Sequence, residues 1–74
     1  MPVDIELFGQ LAPGRTRRQS LTLDRPMNAL QVAILLDLNP DEIGLIAIDG
    51  VQSELEDPVP LNCRLCFFPP VSGG

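Results

Sequence analysis

Hydrophobic positions recur every second residue from Val3 to Leu7. Val3, Ile5 and Leu7 share one face, and Asp4, Glu6 and Phe8 share the other. Period two predicts a strand with one buried and one wet side. Gly9 ends it, and the run Ala12-Pro13-Gly14-Arg15 is a turn signal. The pattern resumes between Arg17 and Asp24, with Leu21 and Leu23 inward and Thr22 outward. The two segments read as a hairpin with a loose loop. The period then lengthens. Ala29, Val32, Ala33 and Leu36 keep helical spacing. Asn28 is positioned as N-cap with Gln31 three residues on, a capping box, and Asn39-Pro40 is expected to stop the helix. Leu30, Ile34 and Leu35 widen the apolar arc beyond one stripe. Either a small sheet wraps around the helix and buries most of them, or the surplus forms part of a docking patch.

Beyond the helix, Pro40 to Gly44 reads as a short turn. Leu45 to Asp49 is a third strand, closed by the turn dipeptide Asp49-Gly50. Val51 to Ser53 reads as a short edge strand, followed by a proline-containing loop. Cys63 to Phe68 is the last strand, and Asn62 before it suits the left-handed conformation of a tight turn. If Leu65 and Phe67 point inward, Cys66 and Phe68 point out. The order is strand, strand, helix, strand, short strand, strand. That is an α+β design: a mixed sheet of four to five strands with one main helix packed on one face. It is the layout of the ubiquitin-like β-grasp fold, in which first and last strands lie side by side in the centre of the sheet.

Composition narrows the function classes. Seventy-four residues make one domain at most, and 45% hydrophobic residues suffice for one core. The net charge is −5, from ten acids against five basic residues, all of them arginine. This argues against nucleic acid and favours a protein partner with a basic cleft. No apolar run approaches the ~20 residues of a membrane span, and the start of the chain has no signal-peptide pattern. Cytoplasmic location is the expectation. A lysine-free chain with an activated C-terminus cannot form an isopeptide with its own copies; scarce lysine in a high-GC genome explains the same absence. Arg15, Arg17 and Arg18 are either solvated turn charges or partners for acids on another protein. Cys63 and Cys66 have C-x-x-C spacing, but in a strand these positions face opposite sides of the sheet. They are not expected to share a metal or a disulfide, and the chain has no histidine to complete a zinc site.

The chain closes on Phe67-Phe68-Pro69-Pro70-Val71-Ser72-Gly73-Gly74. This tail, on a chain of this length and element order, resembles the small subunit of molybdopterin synthase. That family belongs to the β-grasp sulfur carriers, which include the thiamine sulfur carrier. Ile46-Ala47-Ile48-Asp49-Gly50 is a weaker match. The family's Gly-Asp pair before the last strand is replaced by Asn62-Cys63. The resemblance implies a carrier and not an enzyme. Gly74 would be adenylated at its carboxylate by an activating enzyme that uses ATP, and sulfur from a donor protein would replace AMP to give a thiocarboxylate. The larger synthase subunit would take that sulfur for molybdopterin. No cofactor is expected on the chain itself. A ubiquitin-like modifier joined to target lysines starts from the same adenylate, and sulfur supply for thiamine or another metabolite is a further alternative.

The residue chemistry suits this role. Gly73 and Gly74 lack Cβ atoms, so backbone can pass close to the walls of a narrow site. Pro69 and Pro70 have no N–H, so the chain cannot continue the sheet ladder. The division expected is a domain over 1–68 and a flexible tail over 69–74. From Pro69 to Gly74 the tail reaches ~20 Å at most, at ~3.3 Å per residue. Val71 and Ser72 are expected to make backbone contacts inside the partner. Phe8 and Phe68 share the wet face near the root of the tail, either as interface anchors or packed on one another; the family docks its partners through phenylalanines at corresponding places.

Overall fold

The computed structural model describes residues 2–11, 14 and 16–70. Five strands form one sheet: β1 (Pro2–Leu7), β2 (Arg18–Thr22), β3 (Leu45–Ile48), β4 (Val51–Ser53) and β5 (Arg64–Phe68). Their spatial order is β2-β1-β5-β3-β4. β1 and β5 run parallel in the interior of the sheet, and the other pairs are antiparallel. One helix, α1 (Ala29–Leu35), crosses between the β1–β2 hairpin and β3.

The alternation in β1 does what period two requires. Val3, Ile5 and Leu7 are buried, and β5 adds Leu65 and Phe67 on the same side. The register sets Ile5 opposite Leu65 and Leu7 opposite Phe67. Ala29, Val32 and Ala33 of α1 join the same cluster. A helix of about two turns is unstable alone, so its packing against the sheet holds it. Each enclosed large side chain contributes about 1.5–3 kcal/mol, a large share of what so small a domain has in total. Ile34 and Leu35 are 60% and 55% exposed. The sheet therefore covers part of the wide apolar arc and leaves its outer edge in solvent.

Local signals account for the start of the helix. The Gln31 N–H donates to Asn28 Oδ1 at 2.8 Å, and the Asn28 N–H donates to Gln31 Oε1 at 2.9 Å. The end differs from expectation. The helix stops at Leu35, before Asn39-Pro40 is reached. Asp37 takes a left-handed conformation, φ 63°. Its N–H donates to the Ile34 carbonyl at 3.0 Å, and the Leu38 N–H donates to the Ala33 carbonyl at 2.9 Å. This pair of bonds is a Schellman cap, closed by contact between buried Ala33 and Leu38. Asn39 instead starts a 3-10 turn over Pro40–Glu42, its Oδ1 accepting the Asp41 N–H at 3.0 Å. Aspartate tolerates the left-handed region, whereas a β-branched residue does not. Asp37→Val is expected to lower stability by about 1–2 kcal/mol in urea unfolding, with Asp37→Gly close to the unsubstituted protein. Equal midpoints for the valine and glycine variants would show that the cap does not constrain this position.

Three further left-handed residues fall where the sequence places them. Asp49 and Gly50 have φ 51° and 82°, the two-residue turn that joins β3 to β4. Asp49 also binds β5: its Oδ1 accepts the Arg64 N–H, and its own N–H donates to the Arg64 carbonyl, both at 2.9 Å. Asn62, φ 61°, precedes Cys63, which is buried in the core. That is what occupies the place of the aspartate in the Asn62-Cys63 pair.

Candidate functional site

The uncovered face of the sheet carries the residues that alternate with the core. Leu7 pairs with Phe67, so the next residues, Phe8 and Phe68, meet at the end of the β1–β5 pair. Their rings stack with centroids 4.4 Å apart and 10° between planes. The Phe8 N–H donates to the Phe67 carbonyl at 3.1 Å, fixing the turn out of β1. Both rings are half-buried. The stack covers one face of each ring, as the packing alternative expects, and leaves the pair partly open to solvent. Leu45, opposite Phe68 in the register and 39% exposed, extends the apolar ground. Sequence reasoning passed over Leu45, although its alternation with buried Ile46 was visible.

Pro69 and Pro70 leave the sheet beside this pair. Gly9 follows β1 and Gly44 precedes β3, so the two glycines flank the end of β5. A Cβ at Gly9 would lie 2.8 Å from Pro69 Cγ. One at Gly44 would lie 2.7 Å from Pro70 N and 2.9 Å from the Pro69 carbonyl oxygen. The Gly44 N–H donates to the Phe68 carbonyl at 2.8 Å. Pro69 is half-buried and Pro70 exposed. The structure thus brings together Phe8, Phe68, Pro69 and Pro70. It adds Gly9 and Gly44, which were read only as a strand end and a turn residue. Val71, Ser72, Gly73 and Gly74 lie outside the described residues.

No protein-family model matches the chain, and no curated protein matches it. Solved structures do. SAMP1 from Haloferax volcanii superposes with a TM-score of 0.72 at 21% identity, covering 100% of both chains. A chain of the complex of subunits 1 and 2 of molybdopterin-converting factor from Helicobacter pylori 26695 superposes with a TM-score of 0.62 at 19% identity, again covering 100% of both. The fold is the ubiquitin-like β-grasp.

The rest of the uncovered β-grasp face is polar. Moving away from Phe8 and Phe68, Glu6, Cys66 and Ala47 lie abreast, then Asp4 and Arg64. Arg18 reaches Glu6 at 3.3 Å, and Ser20 Oγ donates to Asp4 Oδ1 at 3.3 Å. So the apolar end adjoins the root of the tail and the charged end lies farther along the strands. Cys66 requires a correction. It lies on this face, as alternation requires, but is only 9% exposed. Its short side chain lies low among the longer Glu6, Arg64 and Phe68 on the same face. Cys63 and Cys66 are both free thiols. Burial pushes the Cys63 thiol up, helped by the negative charge of Asp49. Burial likewise pushes Cys66 up, with Glu6 adding to it and Arg64 opposing. Both therefore carry little thiolate at neutral pH. Among the described residues, no group of three or more histidine, cysteine, aspartate or glutamate side chains could hold a metal ion, and no helix is long and apolar enough to cross a membrane.

Proposed function

We propose that the chain is a sulfur carrier and the small, non-catalytic subunit of a sulfur-transferring synthase. The observation that carries this reading is the stacked, half-open Phe8–Phe68 pair at the root of a tail ending in Gly73-Gly74. An aromatic pair beside a slender arm gives a partner something to grip while the arm enters its site. In the reaction, the Gly74 carboxylate attacks the α-phosphorus of ATP on an activating enzyme and releases pyrophosphate. A sulfide equivalent from a donor protein then displaces AMP and leaves a thiocarboxylate. The adenylate step is needed because a free carboxylate would have to expel oxide, a poor leaving group. The larger synthase subunit receives the sulfur, and molybdopterin is the acceptor class that the Pro-Pro-Val-Ser-Gly-Gly ending favours. Likeness to a chain of the molybdopterin-converting factor complex supports this partner. The acidic net charge suits basic clefts on both enzymes.

The lysine-free composition favours a second reading, a ubiquitin-like modifier that cannot conjugate to its own copies. Intact mass separates the two. Purified from its own cells with the adenylating enzyme, the carrier is expected to show one oxygen exchanged for sulfur at the C-terminus. Adducts on lysines of other proteins, with an unexchanged terminus, select the modifier. A terminus that stays unmodified with enzyme, ATP and sulfur donor present overturns both.

A further inference from the structure

Two glycines from distant parts of the chain meet two consecutive prolines at one point. Gly9 stands beyond the end of β1 and Gly44 before the start of β3, on either side of the end of β5. At Gly44 an added Cβ would fall inside van der Waals contact with Pro70 Cα, besides lying 2.7 Å from its nitrogen and 2.9 Å from the Pro69 carbonyl oxygen. These are backbone atoms, and real Cβ atoms essentially never come within 3.0 Å of such neighbours. Gly44 is not left-handed, so the position demands a missing side chain and not an unusual φ. At Gly9 the added carbon would meet the Pro69 ring, 2.8 Å from Cγ and 3.3 Å from Cδ. The hydrogen bond from the Gly44 N–H to the Phe68 carbonyl, 2.8 Å, holds this wall against the strand.

Ending the ladder does not require this arrangement, because a proline without an N–H already does so. We propose that Gly9 and Gly44 form a seat for Pro69-Pro70 that sets the direction in which the chain leaves the sheet. The seat fixes Pro69 and Pro70 beside the Phe8–Phe68 pair. The prolines suit the part: their locked φ keeps the orientation of the seat through Pro70. The inference rests on the carrier reading for its purpose. A partner that grips the aromatic pair and must align the Gly74 carboxylate gains from an aimed arm, since ~1 Å of misplacement costs about 10²-fold in rate. Gly9 and Gly44 are positioning residues in this scheme and touch no reacting atom.

The test compares Gly44→Ala with the double variant Pro69→Ala/Pro70→Ala, which adds no atom to the seat and so keeps the fold if Gly44→Ala does not. A nitroxide on Gly73→Cys, with Cys63 and Cys66 buried, reports through paramagnetic broadening of backbone amides which part of the body the arm faces. Both variants are expected to redistribute that broadening while the core amide shifts stay in place. With the adenylating enzyme of the same genome, kcat should fall about tenfold or more and KM change less than about threefold. A disturbed aromatic face would instead raise KM. Unchanged broadening in both variants overturns the seat, and so does unchanged kcat in both. If the unsubstituted protein is not adenylated at all, the carrier reading fails and the broadening alone decides the seat.

Discussion

Phe68→Ala is expected to weaken binding to the larger synthase subunit by about 2 kcal/mol or more, roughly 25-fold in Kd. The ring stacks on Phe8 at 4.4 Å, presents its remaining surface beside Leu45 and stands one residue before the arm. Aromatic residues near the centre of an interface carry binding out of proportion to their number, because they displace much water at little entropic loss. Losing the ring also removes the stack, worth about 0.5–1.5 kcal/mol within the fold. The measurement is therefore calorimetric titration at a temperature where both proteins remain folded by circular dichroism. Phe8→Ala should show a smaller loss. The double variant should lose less than the sum of the single losses, because the rings act as a unit. Undiminished affinity for Phe68→Ala would reduce the pair to an internal contact of the sheet.

The second large effect is at the other end of the arm. Gly74→Ala should reduce adenylation by about 10²-fold, the loss expected when a reacting group is displaced by about 1 Å. A methyl group at this position crowds the carboxyl carbon under attack and the walls of the closed site. Unfolding midpoints are expected not to move. ATP–pyrophosphate exchange with the adenylating enzyme measures the loss directly. Exchange at the full rate would mean that position 74 is not the site of activation, and the carrier and modifier readings would fall together.

These two effects and the seat at Gly44 divide the site by what each part does. In the proposed carrier the aromatic pair would supply affinity, the terminus would supply chemistry, and the glycine–proline seat would relate one to the other. The Phe68 variant should act on Kd, the Gly74 variant on rate, and the Gly44 variant on kcat with KM nearly constant. The charged end of the sheet face, with Arg18 on Glu6 and Ser20 on Asp4, borders the apolar end.

Much of the molecule was legible before its structure. The alternation of Val3, Ile5 and Leu7, the capping box of Asn28 and Gln31, the Asp49-Gly50 turn and the left-handed Asn62 all follow from constraints that act within two to four neighbours. Element order together with these signals sufficed for the β-grasp topology, and alternation alone put Phe8 and Phe68 on one face. Tertiary structure decided the rest. The helix ends at Leu35 because Leu38 finds the core beside Ala33, and no local rule reveals that an aspartate will serve as the left-handed cap. Cys66 is shielded because its short side chain lies low among the longer Glu6, Arg64 and Phe68 on the same face. Gly9 and Gly44 acquire their meaning only when the end of β5 is laid between them. Contacts between residues far apart in the chain depend on where several elements converge, and a pattern of period two or 3.6 holds no information about that distance.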